Sequence, residues 1–129
     1  MTINKINPFR FIAGAVSYDT AKVFYARLDP EIATSSELLQ ALYYILWFPG
    51  YFGFNWDALY DCLRDLNWIH CRKVVIVHEK LPMIPEGDLT IYLETLRDSV
   101  FDWGQDKEHE LEIVFQESDK NMVEKLLCT

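Results

Sequence analysis

The stretch Tyr51-Phe52-Gly53-Phe54-Asn55-Trp56-Asp57-Ala58-Leu59-Tyr60-Asp61-Cys62-Leu63-Arg64-Asp65-Leu66 combines a chain stop, a helix cap and a helix with two unlike faces. Gly50 and Gly53 sit in an aromatic loop after Pro49. Glycine tolerates positive φ and the residue before proline avoids the helical region, so the preceding helix is expected to end near Phe48. Asn55 has the chemistry of an N-cap, its side-chain oxygen placed to accept from the N–H of Asp57 or Ala58. Asp57, in the first turn, meets the positive end of the helix dipole. At about 100° per residue, Leu59, Cys62, Leu63 and Leu66 share one side, while Asp57, Tyr60, Asp61, Arg64 and Asp65 share the other.

The apolar stripe belongs in a core. The outer face has an ordinary reading as solvated helix surface, and two details favour a binding role. Asp57 and Asp61 form a like-charge i,i+4 pair that Arg64 relieves only partly. Tyr60 between them is a large amphipathic group of the kind enriched at protein interfaces. A cation-rich partner would explain a helix that keeps such a face.

Working outward, Val23-Phe24-Tyr25-Ala26-Arg27-Leu28 is rich in strand formers and closes at Asp29-Pro30. Thr34-Ser35-Ser36-Glu37 fits a capping box. The helix it opens carries a buried stripe of Leu38, Ala41, Leu42, Ile45 and Leu46. Tyr43, Tyr44, Trp47 and Phe48 at its C-terminal end are expected to pack into the core, whereas Tyr51 in the glycine loop is a candidate contact residue. The β-branched run Lys73 to Val77 suits a central strand buried on both faces. Pro82 and Pro85 leave room for no more than a helical turn between them. A helix from Glu86 or Asp88 to Trp103, ended by Gly104, buries Leu89, Leu93, Leu96 and Val100 and turns Glu94, Asp98 and Asp102 outward as a solvated ridge. Leu111 to Phe115 is a third strand, and Lys120 to Leu127 a short terminal helix. Phe9-Arg10-Phe11-Ile12 reads either as a short strand or as an apolar arm.

That order predicts a small single-domain α/β fold, a three-stranded parallel sheet packed with about four helices. Residues 1–21 read as an N-terminal extension packing on the domain, and 22–129 as the domain with a short C-terminal extension. With 129 residues, half of them hydrophobic, the chain has material for a real core. The formal charge is −8, with the acidic surplus in the second half. Such a surface disfavours nucleic acid and suits a basic protein partner. Three cysteines, 62, 71 and 128, with no secretory signal and no long apolar run, point to a reduced cytoplasmic protein that does not enter a membrane.

Catalytic chemistry finds little footing. His70, His78 and His109 lack metal-ligand spacing and read as surface or strand-end histidines. No phosphate-binding glycine loop or nucleophile elbow occurs, and Cys62 lies on the apolar stripe, where thiols are inert. No catalytic residue, cofactor or metal is expected.

The run Tyr51-Phe52-Gly53-x-Asn55-x-Asp57-Ala58-Leu59-x-Asp61-Cys62-Leu63 resembles the signature segment of the barstar family, intracellular inhibitors of barnase-type ribonucleases. The order of elements agrees from about Lys22 to Gln116. The resemblance implies a barstar-like fold and a partner-binding surface made of Tyr51, Gly53, Asn55, Asp57, Tyr60, Asp61, Arg64 and Asp98. In that picture carboxylates replace RNA phosphates in a nuclease active site. Asp61 mimics the phosphate most directly, Asp57 and Asp98 add salt pairs, and Tyr51 and Tyr60 pack on the rim.

Three positions depart from the family pattern. Phe54 stands where an acid is frequent, Tyr60 replaces an indole, and Arg64 brings a positive charge, which suggests a divergent partner offering a carboxylate opposite it. The expected function is inhibition, as a 1:1 monomeric complex, of a basic barnase-like ribonuclease or an antibacterial nuclease toxin, in the latter case as an immunity protein. The alternative is a non-enzymatic regulatory or scaffolding domain that keeps the fold without inhibiting a nuclease.

Overall fold

Strands Arg10–Ile12 (β1), Val23–Leu28 (β2), Lys73–His78 (β3) and Glu110–Gln116 (β4) form one sheet in the spatial order β1-β4-β3-β2, parallel at every pairing. Between and after them lie helices Ser35–Ile45 (α1), Trp56–Asp65 (α2), Glu86–Trp103 (α3) and Lys120–Leu127 (α4), the last preceded by a single 3-10 turn at Glu117–Asp119. The computed structural model describes residues 7–15, 21–104 and 109–128. The fold is therefore a small α/β domain with a parallel sheet and four helices.

The period-two alternation of strands sorts the side chains into two layers. Ala26, Leu28, Val74, Ile76, Leu111, Ile113 and Phe115 join the helices in the main core, where Leu38, Leu42, Leu59, Leu63, Leu93 and Leu96 are fully buried. The intervening residues Val75, Val77 and Val114 form a second, smaller cluster with Ile12, Val23 and Tyr25. Charged pairs occupy the same alternate positions, Arg10 with Glu112, Lys73 with Glu112 and Glu110, and Arg27 with Glu79. β3 is buried on both sides, as its β-branched run predicts.

The sheet has a fourth strand where the sequence predicts three. β1 lies against β4, with Phe9 and Phe11 packed on Phe115 at ring distances of 5.1 and 6.1 Å. Just beyond it Gly14 adopts φ 83° and exchanges two hydrogen bonds with the Gln116 side chain. Of the two readings of Phe9–Ile12 the short strand is the one that forms, because the edge of β4 supplies its partners.

Two indoles tie the helix ends down. Trp68 Nε1 donates to the Leu46 carbonyl at 2.8 Å, and Trp103 Nε1 donates to the Leu63 carbonyl at 2.7 Å. Each satisfies a carbonyl in or just past a last turn that has no partner inside its helix.

His78 departs from the surface reading. As the last residue of β3 it shares the side of Val74 and Ile76 and is fully buried, stacked on Phe115 at 4.2 Å. The Val114 carbonyl can only accept, so Nδ1 carries the proton and donates to it at 3.1 Å, and Nε2 accepts from the Tyr92 hydroxyl at 2.6 Å. Burial pushes the imidazole down to about 4, so it is neutral at ordinary pH.

Candidate functional site

The loop before α2 is built from within. Asn55 caps the helix by accepting from the Ala58 N–H at 2.8 Å, and its amide nitrogen lies 3.3 Å from the Gly53 carbonyl. A side chain at position 53 would bring its Cβ to 3.2 Å from that amide, so Gly53 leaves the room the cap needs. Phe54 turns the chain into the cap through a left-handed conformation, φ 53°. Beneath the loop Phe52 is buried against Phe48 and Phe54, each at 4.8 Å.

α2 then presents the face that its periodicity predicts. Leu59, Cys62 and Leu63 are buried, as is Leu66, which ends the helix in the left-handed region. Burial, with Asp61 and Asp65 adding to it, raises the Cys62 thiol to about 11, leaving it unreactive at neutral pH. Asp57 and Asp61 are exposed on the outer side.

The outer face is a connected polar cluster. The Tyr60 hydroxyl donates to Asp102 Oδ2 at 2.6 Å, and Arg64 Nη2 donates to Asp61 Oδ1 at 2.9 Å. The Arg64 guanidinium lies over the Tyr60 ring, 4.3 Å from its centroid, with Nε 3.9 Å from Asp102 Oδ2. The bond to Asp102 raises the Tyr60 phenol above its ordinary value, with a further contribution from the charge of Asp98. The bond to Asp61 likewise strengthens the basicity of Arg64. Arg64 is thus already neutralised from two sides within this chain.

Of the residues singled out in the sequence, Tyr60, Asp61 and Arg64 touch one another or a shared partner, and Gly53 and Asn55 hold the start of their helix. Asp98 lies one turn before Asp102 on α3, where it accepts from Arg97 Nε at 3.0 Å. Tyr51 is 75% exposed. Asp102, which the sequence assigns to a solvated ridge, belongs to the cluster. The usable signal is its i+4 spacing from Asp98.

The aromatics at the end of α1 divide. Phe48 is buried and Tyr43 half-buried, while Tyr44 and Trp47 are 71% and 72% exposed, against the expectation that all four fill the core. A concavity of about 970 Å³ lies at the N-terminal ends of β2 and β3, walled by Phe24, Trp47 and Trp68. The α2 carboxylates form no part of its lining. Among the described residues, no three His, Cys, Asp or Glu side chains gather to hold a metal, and no helix is long and apolar enough to cross a membrane.

These features define a small parallel α/β domain that displays a capped acidic helix. The family model described as Barstar (barnase inhibitor) matches residues 21–116, and the chain belongs to the barstar family. The members of that family are inhibitors rather than enzymes. No curated protein matches the chain.

Proposed function

We propose that this protein inhibits a barnase-like ribonuclease or an antibacterial nuclease toxin by occupying its active site with the Tyr51–Asn55 loop and the outer face of α2. The observation that carries the reading is the rigid presentation of Asp57 and Asp61 on a helix whose start is fixed by Asn55, in a chain of the barstar family. A nuclease site that grips phosphate with arginine, lysine and histidine is complementary to such carboxylates, and the −8 charge steers the two proteins together. Asp61 is the central phosphate mimic, Asp57 and Asp98 supply flanking pairs, and Tyr51 and Tyr60 pack on the rim. Asp102 orients Tyr60 and Arg64. The complex is 1:1 and forms in the cytoplasm, with no catalysis by this chain.

Barnase–barstar is itself the reference system for electrostatic steering and for a dominant interfacial aspartate, so those magnitudes describe that pair. The test is a titration of RNA cleavage by candidate ribonucleases with wild type, Asp57→Ala and Asp61→Ala. Stoichiometric inhibition is expected, with Asp61→Ala releasing the nuclease far faster than Asp57→Ala does. Equal and negligible effects of the two substitutions would remove the α2 face from the interface.

A further inference from the structure

No charged side chain occurs between Glu37 and Asp57 in a chain that is 25% charged overall. Yet that interval is not all interior. Tyr44, Trp47 and Tyr51 are each more than 70% exposed and Phe54 is 45% exposed. Single exposed apolar residues need no explanation, but four exposed rings within an uncharged stretch of chain do.

Two of the rings are held out by backbone that aromatic residues rarely adopt. After α1 the Phe48 N–H donates to the Tyr43 carbonyl at 3.0 Å and the Trp47 N–H to the Tyr44 carbonyl at 3.4 Å. That is the Schellman pattern, whose left-handed position glycine usually fills. Here Trp47 fills it at φ 57°, and Phe54 repeats the feature at φ 53°. A left-handed non-glycine residue costs about 1 kcal/mol or more. Tyr44 and Phe54 are also buttressed by Tyr43, which contacts each at 5.1 Å and lies over buried Phe52 at 6.0 Å, while Trp47 stands edge-on to Phe24 at 6.4 Å.

Building on the inhibitory reading above, we propose that Tyr44, Trp47 and Phe54, together with Tyr51 of the intervening loop, form the apolar half of the same interface. The partner nuclease then carries an apolar rim beside its cationic cleft, and this ledge decides which nuclease is bound. Phe54, Asn55, Trp56 and Asp57 are consecutive, and Tyr43 joins Phe54 to Tyr44, so a protein seated on Asp57 and Asp61 meets the near side of the ledge. An interface of about 800 Å² per partner is about 30 Å across, wide enough for both halves. Tyr and Trp are the side chains on which binding energy concentrates. Charge argues against a second copy as the occupant, since a two-fold dimer through the ledge would bring two sets of α2 carboxylates together.

Trp47→Gly tests this without endangering the fold, because glycine suits the left-handed position. A barnase-type ribonuclease inhibited by the wild type is titrated with Trp47→Gly, Tyr44→Ser and Asp61→Ala, and each variant is unfolded in urea. Expected are an inhibition constant raised about tenfold or more for both ledge variants, and an unfolding midpoint for Trp47→Gly close to that of the wild type. Full inhibition by both ledge variants, with loss in Asp61→Ala, overturns the ledge and leaves the inhibitory reading standing. Full inhibition by Asp61→Ala takes the α2 face out of the interface and overturns the ledge that adjoins it, whereas no inhibition of any such nuclease by the wild type overturns the inhibitory reading and the ledge with it. A wild-type dimer in sedimentation that Trp47→Gly dissociates assigns the ledge to a second copy and overturns the proposal.

Discussion

The hydroxyl of Tyr60 on α2 and the carboxylate of Asp102 on α3 are joined by a 2.6 Å hydrogen bond that links the outer faces of the two helices. It is charge-assisted, and it holds the phenol protonated to higher pH than an ordinary tyrosine. Removing the acceptor's negative charge should lower that titration. The tyrosinate absorbance of Tyr60, isolated by subtracting the curve of Tyr60→Phe, is expected to rise at lower pH in an Asp102→Asn background. Coincident curves in the two backgrounds would mean that the bond does not persist in solution.

Arg64 bonds Asp61 in the free protein, so binding a cationic partner requires Asp61 to be shared or released. Arg64→Gln adds a unit of negative charge and frees the carboxylate. Association with the nuclease should accelerate severalfold, and more at low salt than at physiological ionic strength. Slower association would mean instead that the partner places a carboxylate against Arg64.

Asn55 supplies the only side-chain hydrogen bond described at the start of α2. Asn55→Ala is expected to cost about 1 kcal/mol of stability. Urea unfolding would show it as a lower midpoint at unchanged slope. Asn55→Asp should recover only part of that loss, since an anion there meets the helix dipole but cannot donate to the Gly53 carbonyl.

Stability should fall with acidification well before most carboxylates protonate. His78 has a folded value of about 4 against an ordinary value of 6.5, so between these limits the unfolded chain binds the extra proton. The contribution is complete above pH 6.5 and is lost as the pH drops toward 4, about 3 kcal/mol in all. His78→Gln, which can still donate to Val114 and accept from Tyr92, should flatten the profile between pH 4.5 and 6.5. An unchanged slope there would exclude His78 as its source.

The sequence was most legible where structure is written by neighbours. The Asn55 cap, the Thr34 cap, which receives the Glu37 N–H at 3.0 Å, and the α2 stripe all depend on contacts within a few positions. What escaped is set by distant partners. Asp102 joins the cluster through Tyr60, 42 positions away, and the choice between strand and arm for Phe9–Ile12 is made by the edge that β4 offers. Trp47 misled for a different reason: a left-handed helix stop is expected at glycine, so the turn that sends the indole outward falls before the glycines that announce it. His78 was readable in principle, since alternation with Val74 and Ile76 already places it on the helix side.

The span matched to the family, residues 21–116, contains β4 but not β1, which pairs with its Val114–Gln116 edge. In a chain trimmed to that span, β4 would present a bare row of amide and carbonyl groups ready to pair with another molecule. The three residues of β1 are therefore a guard on one flank of the sheet that lies outside the matched span.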